Sequence, residues 1–384
     1  MIQVGIDKLN AYIPSYYIDI KDLAVARNVD PDKYTIGIGQ DEMAILSSKE
    51  DIITMAANAA DSIITDEDKP LIDMVIFATE SAFDYSKSAA TYLTELLELS
   101  PYVRAVEMKQ ACYSGTAALQ MAADYVRLRP ERKVLVVTSD VARYGLNTPG
   151  EVTQGAGACA MMISSNPRIL SLDEKVAFVT ENQYDFWRPS YSDVALVDGA
   201  FSNQLYMRMF KQTIEKYGEE TLQEIAEIDM LHFHLPYSKM GLKAIQSIED
   251  VYPMLEKTFS DWKRLYTPMT TLGRKVGNIY TGSLYLSFLS SLIYQEELKA
   301  GQKIGFFSYG SGAVAELFTG RLVENFEKVI PNVFIQDLFD SRTRLTIADY
   351  ERVFNGESLE NTFPSRMQKI TFSNVENHKR NYQK

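Results

Sequence analysis

Apolar residues recur at three- and four-residue spacings from Lys49 to Thr65, putting Ile52, Met55, Ala56, Ala59, Ala60 and Ile63 on one face and predicting a helix. A turn at TDEDKP leads into DMVIFATE, a short apolar run that reads as a buried strand ending at Glu80. The alternation continues with a helix at Ser88 to Leu99, a strand at VRAVEM, a helical segment opening at Cys112 in CYSGTAALQMAADYVRL, and a strand at KVLVVTSD. GAGACAMMIS follows a glycine-rich turn. Short buried strands alternating with helices predict an α/β protein.

The same order of elements returns in the second half. IDMLHFHLP reads as a buried strand carrying His234 at its end, where DMVIFATE carries Glu80. GNIYTGSLYLSFLSSLI reads as a helix with Asn278 at its start, where the earlier helix has Cys112, and Gly310 to Ala315 echoes Gly155 to Ala160. The echo predicts a duplicated fold with like α/β halves at 1–166 and 167–384 in one body. Open α/β sheets bind ligands beyond the carboxyl ends of their strands, so Glu80, Cys112, His234 and Asn278 are candidates for one cleft. The polar segment after Asp340 is expected to end in a solvated tail, ENHKRNYQK.

Composition narrows the function. With 384 residues and 46% hydrophobic content the chain can bury a large core, and its net charge of −12 argues against nucleic-acid or anionic-membrane partners. Val276 to Gln295 is uncharged, but its Asn, Thr, Gly, Ser and Gln content predicts a buried helix rather than a membrane span. The chain has two cysteines, and MIQVGIDKLN lacks the features of a secretory signal, so a reduced cytoplasm is expected.

Cys112, at a strand-to-helix junction, is placed where helix amides favour a thiolate; the alternative is a buried structural cysteine, the reading given to Cys159. Glu80 ends an apolar strand, where a carboxylate is either hydrogen-bonded with a raised pKa or turned to water. His232 and His234 form a His-x-His pair, but no motif supplies further metal ligands, so no metal is expected. His234 is expected to face the cleft, His232 to be a core residue, and His378 to have no role. The loops TQGAGA and SYGSG, the latter with Ser311, could bring backbone N–H groups against a ligand, although neither is a phosphate-binding or dinucleotide motif. Lys239 and Lys243, one helical turn apart, and Lys33 could meet an anionic substrate arm; solvated lysines are the alternative.

Taken together, VGIDKLNAYIP, VDPDKY, IGIGQ, ATES, ACYSGT, ARYGLN, TQGAGA, DFWRP, VDGAFS, FHLPYSKMG, VGNIYTGSLY and FSYGSG resemble the bacterial type of 3-hydroxy-3-methylglutaryl-CoA synthase, within the thiolase superfamily. The likeness runs to Gly320 and is loose beyond it. It implies a duplicated thiolase-like fold in an αβαβα arrangement, a homodimer, and Claisen-type condensation of acetyl-CoA with acetoacetyl-CoA without metal or organic cofactor. On that resemblance Cys112 carries the acetyl group, Glu80 is general base and acid, and His234, supported by Asn278, holds acetoacetyl-CoA. Backbone N–H groups of Cys112 and Ser311 form the oxyanion hole, and Asp30, Thr153, Ser202 and Lys243 contact the CoA thioester. Gln110 stands where many bacterial members have an acidic residue. The nearest enzymatic rival is a ketoacyl-acyl-carrier-protein synthase III, which needs no carboxylate at Glu80, and a non-catalytic acyl-CoA-binding scaffold is the rival from another class.

Overall fold

A computed structural model describes residues 2–384. Its centre is a nine-stranded sheet made of β1 (Val4–Tyr12), β2 (Ile72–Ala78), β3 (Arg104–Met108), β4 (Lys133–Ala142), β5 (Gly155–Ser165), β6 (Leu170–Thr180), β7 (Met230–Phe233), β8 (Lys303–Gly310) and β9 (Val314–Leu322), in the order β7-β8-β9-β6-β1-β5-β4-β2-β3. The two halves join where Gly5 and Ile6 of β1 pair antiparallel with Ser171 and Leu170 of β6. Outward from that seam, β1-β5-β4-β2 on one side and β6-β9-β8-β7 on the other share one pattern, two antiparallel pairings and then a parallel one. The echo seen in the sequence is therefore a repeat in the sheet, with β3 an extra edge strand on the first half.

Five helices complete the layers: α1 (Ile52–Asp61), α2 (Ser114–Leu128), α3 (Gly199–Tyr217), α4 (Met240–Glu249) and α5 (Ser283–Tyr294). α1 begins with a reciprocal cap between Asp51 and Thr54 and packs on β1, β4 and β5. α3 covers β6 and β9. Between the sheet halves lie α2 and α5, joined by Thr116 Oγ1 and Tyr285 OH at 2.9 Å. This is the αβαβα layering of the thiolase-like fold. Ten of the twelve α5 residues are buried, so the uncharged stretch is the inner core helix it was expected to be, although it starts at Ser283, after a 3-10 turn at Tyr280–Gly282. No helix among the described residues is long and apolar enough to cross a membrane.

The tail is solvated over most of its length, as expected, but it is also folded. Thr371–Glu376 and Lys379–Gln383 form a hairpin, and Arg380 Nη2 and Tyr382 OH each donate to Asp51 Oδ2 at 2.8 Å. The polar letters of ENHKRNYQK hid two side chains that close over the start of α1.

At the far end of the sheet from the strand-end loops, Asp68 accepts from Lys8 Nζ at 2.5 Å and Lys133 Nζ at 2.7 Å. Burial alone would raise its pKa, but the hydrogen bonds from Lys133, Lys8 and Thr65 outweigh it and hold the carboxyl well below the usual range. Its contribution is present above the unfolded carboxylate pKa and is lost as pH falls through that range toward the lower native value. Asp68→Asn is expected to destabilise the protein at pH 7 by about 2–3 kcal/mol, less than a fully buried pair because both lysines reach water. Urea unfolding checks it: the gap between the two proteins should shrink at pH 3.

Candidate active site

Glu80 lies two residues beyond β2, and Cys112 lies in the turn between β3 and α2. The turn is made by Ala111, whose φ of +43° is a left-handed conformation that a side chain adopts at a cost, as at other sites where strain holds a reactive group in place. Cys112 Sγ donates to Glu80 Oε1 at 3.0 Å. Both residues keep partial exposure.

The charge state of the sulfur differs from the expectation. Burial and then the Glu80 carboxylate, with Asp140 and Asp185 farther off, push the Cys112 thiol well above its usual value. Burial and these acids both favour the neutral thiol over the thiolate. Glu80 is itself pushed up to about 8, first by burial and then by the charge of Asp140, against the opposing pull of Cys112 and Arg188. Arg188 Nη2 reaches the Glu80 carbonyl oxygen at 2.8 Å.

Asp140, at the end of β4, is fully buried and pins this corner. Its Oδ1 accepts from the Glu80 amide at 2.9 Å, Thr79 Oγ1 at 2.9 Å and Ser81 Oγ at 2.8 Å, and its Oδ2 from Thr281 Oγ1 at 2.5 Å. Burial raises its pKa to about 6 despite those donors. A carboxylate inside the apolar run KVLVVTSDVA was the available signal for it, the same signal that singled out Glu80.

His234 follows β7 and is 2% exposed. Its amide donates to Phe307 O at 2.8 Å, its carbonyl accepts from Tyr206 OH at 2.7 Å, and its ring Nδ1 is buried with no partner. Burial lowers its pKa to about 3, so the imidazole is neutral, with one N–H donor and one acceptor nitrogen. His232 is a core residue, stacked on Phe306 with Nδ1 3.2 Å from Ser287 Oγ. Cys159 is buried, its thiol pushed up to about 12 by burial.

Asn278 is buried but turned to its neighbours: Nδ2 donates to Tyr144 OH at 3.0 Å, and Oδ1 accepts from the Tyr280 amide at 2.9 Å and Ser283 Oγ at 2.8 Å. Tyr144, Phe186 and Tyr280 form an edge-to-face triangle of rings with centroids 5.8 to 6.1 Å apart. Asp185 accepts from Tyr309 OH at 2.6 Å, the Gly312 amide at 2.9 Å and Ser202 Oγ at 3.2 Å, which fixes the loop carrying Ser311. Gln110 Nε2 reaches Ser311 O at 3.3 Å from the other side. Tyr144, Asp185, Phe186 and Tyr280 had no separate signal, since polar and aromatic residues in loops are common.

The glycines of these loops also let the two halves of the protein approach closely. A Cβ on Gly155 would lie 2.5 Å from Val276 O and one on Gly310 2.5 Å from the Tyr113 amide. The close approach seen here is between the two halves, Gly155 against the Asn278 loop and Gly310 against the Cys112 turn.

The remaining candidates sit around a second region. Thr153 O accepts from the Asn278 amide at 3.2 Å, and Thr153 Oγ1 donates to Gly150 O at 2.9 Å. Lys239 leads into α4, and its amide donates to Ile38 O at 3.2 Å. Lys243 is exposed, with Nζ 3.0 Å from Tyr237 OH, which donates to Asn203 next to Ser202. Asp30 and Lys33 are exposed, with Asp30 Oδ1 accepting from the Asp32 amide at 3.0 Å. Ser202, Lys239 and Lys243 thus share one neighbourhood with the Lys33–Ile38 turn. Among the described residues no group of three or more His, Cys, Asp or Glu could hold a metal ion.

Comparison with known proteins gives the same answer along the whole chain. Residues 2–168 match the family model for the hydroxymethylglutaryl-coenzyme A synthase N terminal and residues 248–374 that for its C terminal, so the likeness extends beyond Gly320. The hydroxymethylglutaryl-CoA synthase of Enterococcus faecalis is 46% identical over 99% of both chains. The polyketide-biosynthesis 3-hydroxy-3-methylglutaryl-ACP synthase of Bacillus subtilis is 29% identical over 98% of this chain and 93% of its own. A crystal structure of an HMG-CoA synthase complexed with CoA superposes with a TM-score of 0.93 at 39% identity, covering 100% of both chains. With both family models matched and near-complete coverage of its relatives, the chain belongs to the hydroxymethylglutaryl-CoA synthase family.

Proposed function

We propose that this enzyme condenses acetyl-CoA with acetoacetyl-CoA and water to give 3-hydroxy-3-methylglutaryl-CoA and CoA. The observation that carries the reading is the Glu80 carboxyl 3.0 Å from the Cys112 sulfur. Cys112 Sγ attacks the acetyl thioester carbonyl, the C–S bond to CoA breaks, and the CoA sulfur leaves with the thiol proton. A thioester acidifies its α-carbon, so the Glu80 carboxylate removes a proton from the bound acetyl group and the enolate carbon bonds to C3 of acetoacetyl-CoA. Glu80 returns that proton to the new alkoxide. Water then cleaves the thioester to Cys112, restoring the thiol and leaving a free carboxyl group. Each step needs a nucleophile or a proton carrier, and Cys112 and Glu80 supply them.

In this reading neutral His234 donates a hydrogen bond to the acetoacetyl carbonyl, and the Cys112 and Ser311 amides receive the oxyanion. Asp30, Thr153, Ser202, Lys239 and Lys243 contact the CoA arm. The enzyme works as a homodimer in the cytoplasm, supplying the mevalonate route to isoprenoids. Glu80 disfavours both the synthase III and the scaffold readings, because neither has use for a proton carrier against the sulfur. The test is to follow acetoacetyl-CoA enolate absorbance with pure protein and acetyl-CoA. No consumption of acetoacetyl-CoA would sink the proposal.

His234→Ala is expected to weaken acetoacetyl-CoA binding about tenfold, the worth of one good hydrogen bond, while leaving acetylation near the wild-type rate. KM for acetoacetyl-CoA and the rate of acetyl-enzyme formation, measured separately, check this.

A further inference from the structure

Tyr280 stands where nothing in the reaction scheme requires a ring, and its backbone holds it at a φ of +45°. It is 5% exposed and closes the triangle with Tyr144 and Phe186. On one side, the next residue, Thr281, donates through Oγ1 to Asp140, the acid that also accepts from the Glu80 amide, so Tyr280 stands beside the corner that holds Glu80 against Cys112. On the other side Tyr280 borders a cavity of about 230 Å³ in which Leu46, Ile52, Phe83 and Val141 make the apolar part of the wall and Asp51, Ser81, Arg143, Arg188 and Asp193 the polar part. Neither Cys112 nor Glu80 lines that cavity.

We propose that Tyr280 is the partition that limits the acyl group Cys112 accepts to acetyl, and that the cavity behind it takes the end of a longer straight acyl chain once the ring is cut back. The inference rests on the acyl-transfer reading above. The step it concerns is the first: the acyl–sulfur bond of the donor breaks, the acyl–Sγ bond forms, and the thiol proton leaves with CoA. An apolar chain end gains by leaving water for an apolar wall, and a ring across the entrance denies it that gain. Strain at Tyr280 is consistent with a residue held for where its side chain stands, since a non-glycine residue keeps a positive φ only when its surroundings enforce it.

The experiment measures acylation of Cys112 by acetyl-, propionyl-, butyryl- and hexanoyl-CoA, using intact mass and peptide mapping, in wild type, Tyr280→Leu and Tyr280→Ala. The expected result is a rate ratio of acetyl to butyryl that falls at least tenfold in the variants. Adding Leu46→Phe to Tyr280→Ala refills the cavity and should restore the ratio. Phe186→Leu loosens the same triangle without bordering the cavity and should leave the ratio unchanged. A ratio that stays at the wild-type value in a Tyr280→Leu protein that still acetylates overturns the partition. A relaxed ratio that Leu46→Phe leaves relaxed overturns the cavity as the acceptor. Wild-type protein that takes no acetyl group at all overturns the acyl-transfer reading instead, so the two failures are distinguishable.

Discussion

Cys112→Ala protein incubated with acetyl-CoA should show no acetyl increment by intact mass, and its turnover should fall by about 10⁴-fold or more, the scale on which losing a covalent nucleophile acts. The fold should survive, because the sulfur makes a single side-chain hydrogen bond, to Glu80, and sits in a partly open recess. With one hydrogen bond lost and a small side chain removed, the change in stability at neutral pH should be modest. A second measurement separates a resting thiol from a resting thiolate. With the thiol pushed well above its usual value, iodoacetamide should label Cys112 at pH 7 more slowly than it labels an unstructured cysteine, and the rate should still be rising at pH 9. Fast labelling at pH 7 would show that the helix amides prevail over the surrounding carboxylates after all. Acetylation of the alanine variant would contradict the assignment of the nucleophile.

The sequence was legible where one residue type stood against its local background. Glu80 at the end of an apolar strand and Cys112 at a strand-to-helix junction are local anomalies, and the repeat of strand ends carrying chemistry pointed to a single cleft. The structure brings Glu80 and Cys112 into contact and shows the repeat as two matching runs of strands on either side of the β1–β6 seam. What was illegible depends on sums over distant positions. The shift of Cys112 follows first from its burial and then from Glu80, Asp140 and Asp185, none of them near it in the chain, and a rule about helix ends alone contains none of these. Gly155 and Gly310 carry the same ambiguity: the missing side chain shows that something comes close, and the fold alone reveals that it is the opposite half of the protein. The final segment was legible only in part. Its polar composition describes its surface, while Arg380 and Tyr382 close over Asp51, more than three hundred residues away in the chain.

Glu80→Ala should still take an acetyl group from acetyl-CoA but lose condensation by about 10²- to 10⁴-fold, the usual worth of a positioned general base and acid. The argument for retained acetylation is electrostatic. After burial, the Glu80 charge is the largest influence holding the thiol proton in place, so removing it makes the sulfur easier to ionise. Equal loss of acetylation in Cys112→Ala and Glu80→Ala would overturn the division of labour. The same carboxyl predicts a pH dependence. With its pKa pushed up to about 8, Glu80 is mostly protonated at pH 7, and the base form that removes the α-proton grows in as pH rises through 8. The rate of condensation from preformed acetyl-enzyme should therefore climb to about pH 8 in wild type and be flat in Glu80→Gln. Stability should run the other way. A carboxyl whose native pKa is raised contributes fully below its unfolded value of about 4.3 and loses that contribution as pH rises through about 8, because the native site binds the proton more tightly than the unfolded chain. Glu80→Gln cannot ionise, so its Tm should exceed that of wild type at pH 8.5 by several degrees and approach it at pH 4. A variant less stable than wild type at pH 8.5 would mean that the carboxylate is better satisfied in the folded enzyme than its burial beside Asp140 implies. The acid is thus expected to cost stability at the pH where it works, as a group kept for its chemistry does.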